Sequence, residues 1–317
     1  MPSSRRAKPD GEGEGEARGV GRAGGRSRVP QASPLPPLGR TASRLALCAR
    51  ALPEGSLRVF LLRLLAGSAS SLALLLGCAS GPRPALPQVV LSTDEVRTLV
   101  ASADARCRPL AARGERDAGH ADAIRAQQSA PHDRSAGLAL ARCAHLRADP
   151  ETDEARVLAI AEQGAEAARL ASSGPDDAEA AYLQALNLGL YVRAKGLVAV
   201  GRLSELVALL KTAGARPDLD QGGPLRVLGL LYLRAPAWPV GPGDLDAGLD
   251  LLKQAAGKYP EHPLNRLFYA QALIEADDPA GARRELDQAR ALSVADRYGD
   301  WAARWRSEAD ELAAKLH

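Results

Sequence analysis

The chain has 317 residues, a formal net charge of +3 and only 3% aromatic residues. Residues 1–77 carry 12 Lys/Arg against 5 Asp/Glu, so the remainder holds 29 against 33 and is mildly acidic. That balance lacks the clustered basic face and the stacking platform of a nucleic-acid binder, and excludes nucleic acid as the main partner. Residues 1–56, rich in Gly, Pro, Ser and Arg, show no apolar period and read as a disordered leader. Gly19, Gly21 and Gly24 spell GxGxxG there, but no strand precedes them and no helix follows, so the motif carries no nucleotide site.

The first organised signal is LRVFLLRLLAGSASSLALLLGC, residues 57–78. Arg58 and Arg63 flank an uncharged, mostly apolar run over 64–77. Spanning a bilayer as a helix takes roughly 20 apolar residues, so the run fits the core of a secretory signal sequence better than a membrane span. Leu75-Leu76-Gly77-Cys78 resembles a bacterial lipobox, whose cysteine is lipidated and becomes the first mature residue. The resemblance implies a signal peptide over 57–77, a lipid anchor on Cys78 and a Pro-rich tether over 78–91. Signal sequences begin near the true N-terminus, so translation is expected to start near Leu57 or Val59.

Cys107 and Cys143 are the cysteines left in an exported chain, and they read either as a disulfide or as two buried helical thiols. Cys143, His145, His120 and His132 meet no metal-site spacing, so no metal is expected.

From Ser92 onward, Ala, Leu, Arg and acidic residues dominate and β-branched residues are sparse, the composition of packed helices. Ser92-Thr93-Asp94-Glu95 reads as a helix start. Helices are predicted over 94–112, 117–129, 134–147, 152–172, 176–198, 203–213, 223–234, 244–258, 263–276, 279–292 and 297–316. Short Gly/Pro/Asp joints between them imply antiparallel helical hairpins over 92–317.

In the stretch EAAYLQALNLGLYVRAKGLVAVG, Tyr182 lies on one face with Ala185, Leu186 and Gly189. Asn187, Tyr191 and Lys195, spaced i, i+4, i+8, either line a ligand channel or form a solvated face. The joint APAWPVGPG centres on Trp238, which reads as an exposed contact residue or as a cover over a hairpin end. Near the C-terminus Gly248, Leu252, Ala255 and Pro260, then Tyr269, Ala270 and Leu273, then Ala282, Leu286 and Ala289, have the spacing of the tetratricopeptide repeat. Gly248–Ala282 and Ala255–Ala289 each give its 34-residue period. The fold class expected is therefore all-α, a tetratricopeptide-repeat-like α-solenoid behind a disordered leader.

The order AAYLQALNLGLYVRAKG, GGPLRVLGLLYLRAPAWPVGPGD, LLKQAAGKYPEHPLNRLFYAQALI resembles the T-component of TRAP-type transporters, over roughly residues 94–316. That resemblance implies a lipid-anchored periplasmic protein of a Gram-negative-type envelope, at the outer membrane, and a solute-binding P-component as partner. It further implies a homo-oligomer with pores and a small organic ligand, which places Tyr182, Asn187, Tyr191, Lys195 and Trp238 as candidate contact residues. A second reading is a repeat lipoprotein that scaffolds an outer-membrane assembly and binds no small molecule. The chain has no HExxH, GxSxG or phosphate loop, so it is not expected to be an enzyme and no cofactor is expected.

Overall fold

The computed structural model describes residues 91–316. The expected leader, signal peptide, lipidated Cys78 and most of the expected tether lie outside the described residues. Twelve α-helices make up the described chain: α1 (Thr93–Arg106), α2 (Arg113–Ser129), α3 (Arg134–Ala148), α4 (Glu154–Ala171), α5 (Ala178–Lys195), α6 (Leu203–Ala213), α7 (Gly223–Arg234), α8 (Leu245–Lys258), α9 (Pro263–Glu275), α10 (Pro279–Leu292), α11 (Ala295–Tyr298) and α12 (Asp300–Ala314). Among the described residues there is no named strand, and no helix is long and apolar enough to cross a membrane.

The helices begin where side chains can satisfy the first-turn amides. Ser92 accepts from Glu95 N while Glu95 Oε2 accepts from Ser92 N at 2.8 Å, a reciprocal cap on α1. Asp133, Asp153, Asp177, Asp244 and Asp278 cap α3, α4, α5, α8 and α10, each with its carboxylate accepting from a first-turn amide. Consecutive helices from α1 to α10 pack on one another, and α1 also touches α3, α3 touches α5, α7 touches α9 and α10 touches α12. Packing on the next neighbour but one is what stacks hairpins into a solenoid. Small residues set the spacing: Ala270, Ala282 and Ala289 are buried, and Leu267 and Leu286 fill the gaps beside them.

Three helices end or break where the sequence-based expectation has them continue, and the second begins at Arg113 rather than 117. The first helix stops at Arg106 rather than 112, because Pro109 follows and disfavours helical backbone before it. The fifth gives way after Lys195 to a 3₁₀ stretch, Gly196–Arg202, that runs straight into α6. The last breaks at Gly299, whose φ of 56° and ψ of −134° suit only glycine, so α11 and α12 meet at an angle. Cys107 and Cys143 form a disulfide that ties the end of α1 to α3.

Candidate functional site

The site starts from Tyr182, near the beginning of α5. Its buried hydroxyl donates to Asp220 Oδ2 at 3.0 Å, and burial followed by the Asp220 charge pushes the phenol well above its usual range. This approach depends on Gly223, since a Cβ there would collide with the Tyr182 hydroxyl and lie 2.6 Å from its Cζ. Asp220 belongs to an unusual turn: Asp220, Gln221 and Gly222 have φ of 48°, 49° and 92°, three left-handed residues in a row. Two of them are not glycine, and such backbone persists only where its surroundings over-determine it.

The surroundings do so here. Buried Arg226 donates Nη2 to Asp220 Oδ2 and Nη1 to Asn265 Oδ1 at 2.7 Å. Asn265 in turn donates Nδ2 to Gln221 O at 2.9 Å and to Tyr259 O at 2.8 Å. His262 Nε2 lies 3.9 Å from Asp220 Oδ1. Burial and then the Arg226 charge lower the His262 pKa to about 3, so its ring is neutral at neutral pH.

This network forms one wall of a cavity of about 750 Å³. Cys107, Arg108 and Pro109 line it from the α1–α2 loop, and Arg142, His145, Leu146 and Asp149 from α3. Arg297, Tyr298, Trp301 and Trp305 close it from α11 and α12. The cavity exists because the end of the solenoid returns to its beginning. Tyr298 and Trp301 pack with Leu146, and Arg304 Nη1 donates to Asp149 Oδ2 at 2.9 Å across 155 residues of sequence. A Cβ on Gly299 would lie 2.9 Å from Pro109 O, so that contact also requires glycine. Tyr298 and Trp305 stack edge to face with centroids 5.0 Å apart. His145 Nδ1, the Tyr298 hydroxyl and Trp301 Nε1 are buried along this seam with no hydrogen-bond partner among the described residues. Burial lowers the His145 pKa, so this ring is neutral as well.

Of the residues singled out from the sequence, the structure places Tyr182 and Cys107 in the cavity wall. The stripe Asn187, Tyr191, Lys195 is not one surface, and the channel expectation for it is corrected. Asn187 is fully buried and donates Nδ2 to Ala141 O and to Leu183 O, each at 2.9 Å. Tyr191 packs beside the α5–α7 core with the Arg202 guanidinium 6.0 Å from its ring centroid, and Lys195 is exposed. The reason is geometric: four residues overshoot a helical turn by about 40°, so eight carry the side chain from the core to the solvent. Trp238 is 87% exposed, on a loop fastened by Gly243 N donating to Pro236 O at 2.8 Å and Asp244 N donating to Tyr232 O at 3.0 Å. It is not among the cavity-lining residues.

Sequence reasoning missed Asp220, His262, Arg108, Arg297 and the aromatics of α11–α12. One signal was present: two of the three Trp and three of the eleven aromatics fall within YGDWAARW, residues 298–305. Among the described residues no group of three metal-ligating side chains converges.

Comparison with known proteins agrees with the repeat architecture. The tetratricopeptide repeat family model matches residues 240–300, which span α8 to α11. No curated protein matches the chain. Among solved structures, a crystal structure of yeast Tom70 aligns with 13% identity over 68% of this chain and a TM-score of 0.29. The alignment spans 54% of that chain, about half its length. The described residues thus form an all-α solenoid of stacked helical hairpins, tetratricopeptide-repeat-like in fold, with the repeat itself matched over residues 240–300.

Proposed function

We propose that this protein is an envelope lipoprotein, anchored through Cys78 and facing the periplasm, that acts as the T-component of a TRAP-type solute uptake system. In this reading the solenoid docks an extracytoplasmic solute-binding protein and takes up a small organic ligand. The carrying observation is the cavity of about 750 Å³ lined by Tyr182, Asp220, Tyr298 and Trp301. A scaffold that only presents an outer surface has no use for such a volume, whereas it falls in the range of small-molecule sites. The order of hairpins resembling the T-component and the lipobox-like LLGC at residues 75–78 support the same reading.

The test is affinity capture of the mature protein from its own envelope after mild crosslinking, with Cys78→Ala as the unanchored comparison. Recovery of a solute-binding protein, and labelling of the native chain but not Cys78→Ala by a fatty-acid probe, is the expected result. Recovery of a secretin or barrel-assembly component instead replaces this reading with that of an assembly scaffold.

A further inference from the structure

The loop that joins α7 to α8, residues 235–243 (APAWPVGPG), has no charged side chain. At its tip Trp238 is 87% exposed and Val240 65%. No residue of the loop lines the cavity. Its backbone is as closed as its side chains are apolar. Proline removes the amide at positions 236, 239 and 242. The Ala235 amide donates to Leu231 O at 2.8 Å and that of Gly243 to Pro236 O at 2.8 Å, while those of Val240 and Gly241 donate to Ala237 O at 3.1 Å and 3.2 Å. At most Ala237 and Trp238 therefore bring an unpaired amide to the tip. Unpaired amides are what make irregular backbone costly in lipid, so this loop meets the condition for leaving water.

The tip is also held in place. A Cβ on Gly241 would lie 2.6 Å from Pro236 O, and the Asp244 amide fastens the end of the loop to Tyr232 O at 3.0 Å. Tyr232 packs against the core of Leu188, Leu206, Leu210 and Leu228, so the loop stands on the body of the solenoid. Trp238 is thus presented with little ordering left to lose on contact. The chemistry of the tip favours lipid over protein. An anchor residue in a protein interface sits among polar rim groups, and here the indole N–H is the one polar side-chain group in the loop. An apolar ring with a single N–H is the side chain favoured where hydrocarbon meets headgroups. Asp244 and Asp246 stand behind the tip at the start of α8, and the Asp244 carboxylate accepts from Ala247 N at 3.0 Å. Attraction to anionic headgroups is therefore not the driving force.

We propose that the tip formed by Trp238 and Val240 rests in the interfacial layer of a phospholipid bilayer, as a shallow second contact beside the acyl anchor. The proposal rests on the anchored-lipoprotein half of the function proposed above. Cys78 and Leu91 are 13 residues apart, a length of chain that reaches at most about 45 Å. A domain tethered that closely meets the bilayer at high effective concentration, so one weak contact is enough to decide which side of the solenoid faces the lipid.

The test places the mature, lipidated protein on phosphatidylcholine vesicles, with and without phosphatidylcholine brominated near the top of its acyl chains, which quenches indole on contact. The emission of Trp238 is read as the difference between the native chain and Trp238→Phe. It is expected to shift to the blue on plain vesicles and to be lost on brominated ones. The emission of Trp301 and Trp305, which remains in Trp238→Phe, is expected to be untouched by bromine. Val240→Asp is expected to restore the Trp238 emission on brominated vesicles, because a carboxylate at the tip cannot follow it out of water. Trp238 and Val240 are both exposed, so unaltered thermal melting of the variants verifies that the fold is intact. Trp238 emission that bromine leaves unquenched and acrylamide still reaches overturns the proposal, and leaves the tip facing water as a protein-docking site would. Quenching that persists in Val240→Asp also overturns it, since lipid then reaches Trp238 without entry of the tip. Flotation with the vesicles is scored separately. A chain that floats without Trp238 quenching defeats the loop contact alone, whereas one that does not float defeats the anchor and this proposal with it.

Discussion

Gly164 of α4 lies against Asn187 of α5 with no room between them. A Cβ on Gly164 would collide with Asn187 Oδ1 and lie 2.6 Å from Ala144 Cβ, and both neighbours are fully buried. Gly164→Ala should therefore destabilise the domain by about 1–3 kcal/mol despite the better helix propensity of alanine. In urea unfolding the loss should shrink in the Asn187→Ala background, where part of the collision is gone; strict additivity would refute the contact. A second residue-scale prediction concerns acid. Burial, then the Arg147 charge, lowers the His120 pKa from 6.5 to about 4, and His262 is lowered to about 3. The unfolded chain binds these protons first, so the stability they confer is complete above about pH 6.5 and is lost as pH falls toward 3, at most about 1.4 kcal/mol per pH unit for each group. Asp177, held at about 2 against the cost of burial by hydrogen bonds from Ser173 and Ala180 and by the Arg134 charge, extends the loss below its ordinary 3.8. Thermal melting should drop between pH 7 and pH 4.5, and His120→Gln should flatten that drop. A pH-independent melting temperature would refute it.

At the level of helices, glycine has opposite meanings in neighbouring hairpins. In α7 a Cβ on Gly229 would lie 2.7 Å from Leu252 Cγ and 3.1 Å from Gly248 O, so the α7–α8 crossing needs the missing side chain. In α5 a Cβ on Gly189 would meet nothing within 4 Å. Gly189→Ala should accordingly stabilise by about 0.5–1 kcal/mol through helix propensity, while Gly229→Ala should destabilise by about 1–2 kcal/mol, with the sign of each read from urea midpoints. This contrast also explains what the sequence could tell. Helix existence was legible because Asp, Pro and Gly punctuate the chain, and the Gly248–Ala282 and Ala255–Ala289 spacings carried the repeat. The orientation of α5 was not legible, because Asn187 reads as polar surface until Ala141 O and Leu183 O are seen beside it. The break at Gly299 was missed because a lone glycine is also tolerated inside a helix, and the Pro109 carbonyl that packs against it belongs to a residue 190 positions earlier in the chain. The cavity was hidden for the same reason: its walls run from Asp104 to Trp305, and no local pattern joins them.

Over the whole of residues 91–316, the controlling feature is the return of α11–α12 to the first three helices. The contact is narrow: Leu146 under Tyr298 and Trp301, Arg304 on Asp149, and Gly299 against Pro109. It also leaves the Tyr298 hydroxyl and Trp301 Nε1 buried without partners among the described residues, a cost of about 1–3 kcal/mol each that opening would relieve. The seam should therefore open before the hairpins unfold. The Cys107–Cys143 disulfide holds the receiving side in place, since Cys107 adjoins Arg108 and Pro109 and Cys143 lies one turn before Leu146 on α3. Closing a loop of 36 residues, the bond should contribute roughly 4 kcal/mol in the chain-entropy account. Reduction should lower overall stability by an amount of that order and open the seam at a urea concentration where the oxidised protein stays closed. Tryptophan emission reports the event directly once Trp238, already 87% exposed, is removed as Trp238→Phe. In that variant the emission of Trp301 and Trp305 should shift to the red on reduction in mild urea, ahead of the loss of helical circular dichroism. If emission and helicity change together in both redox states, the seam is part of the cooperative core and does not open alone.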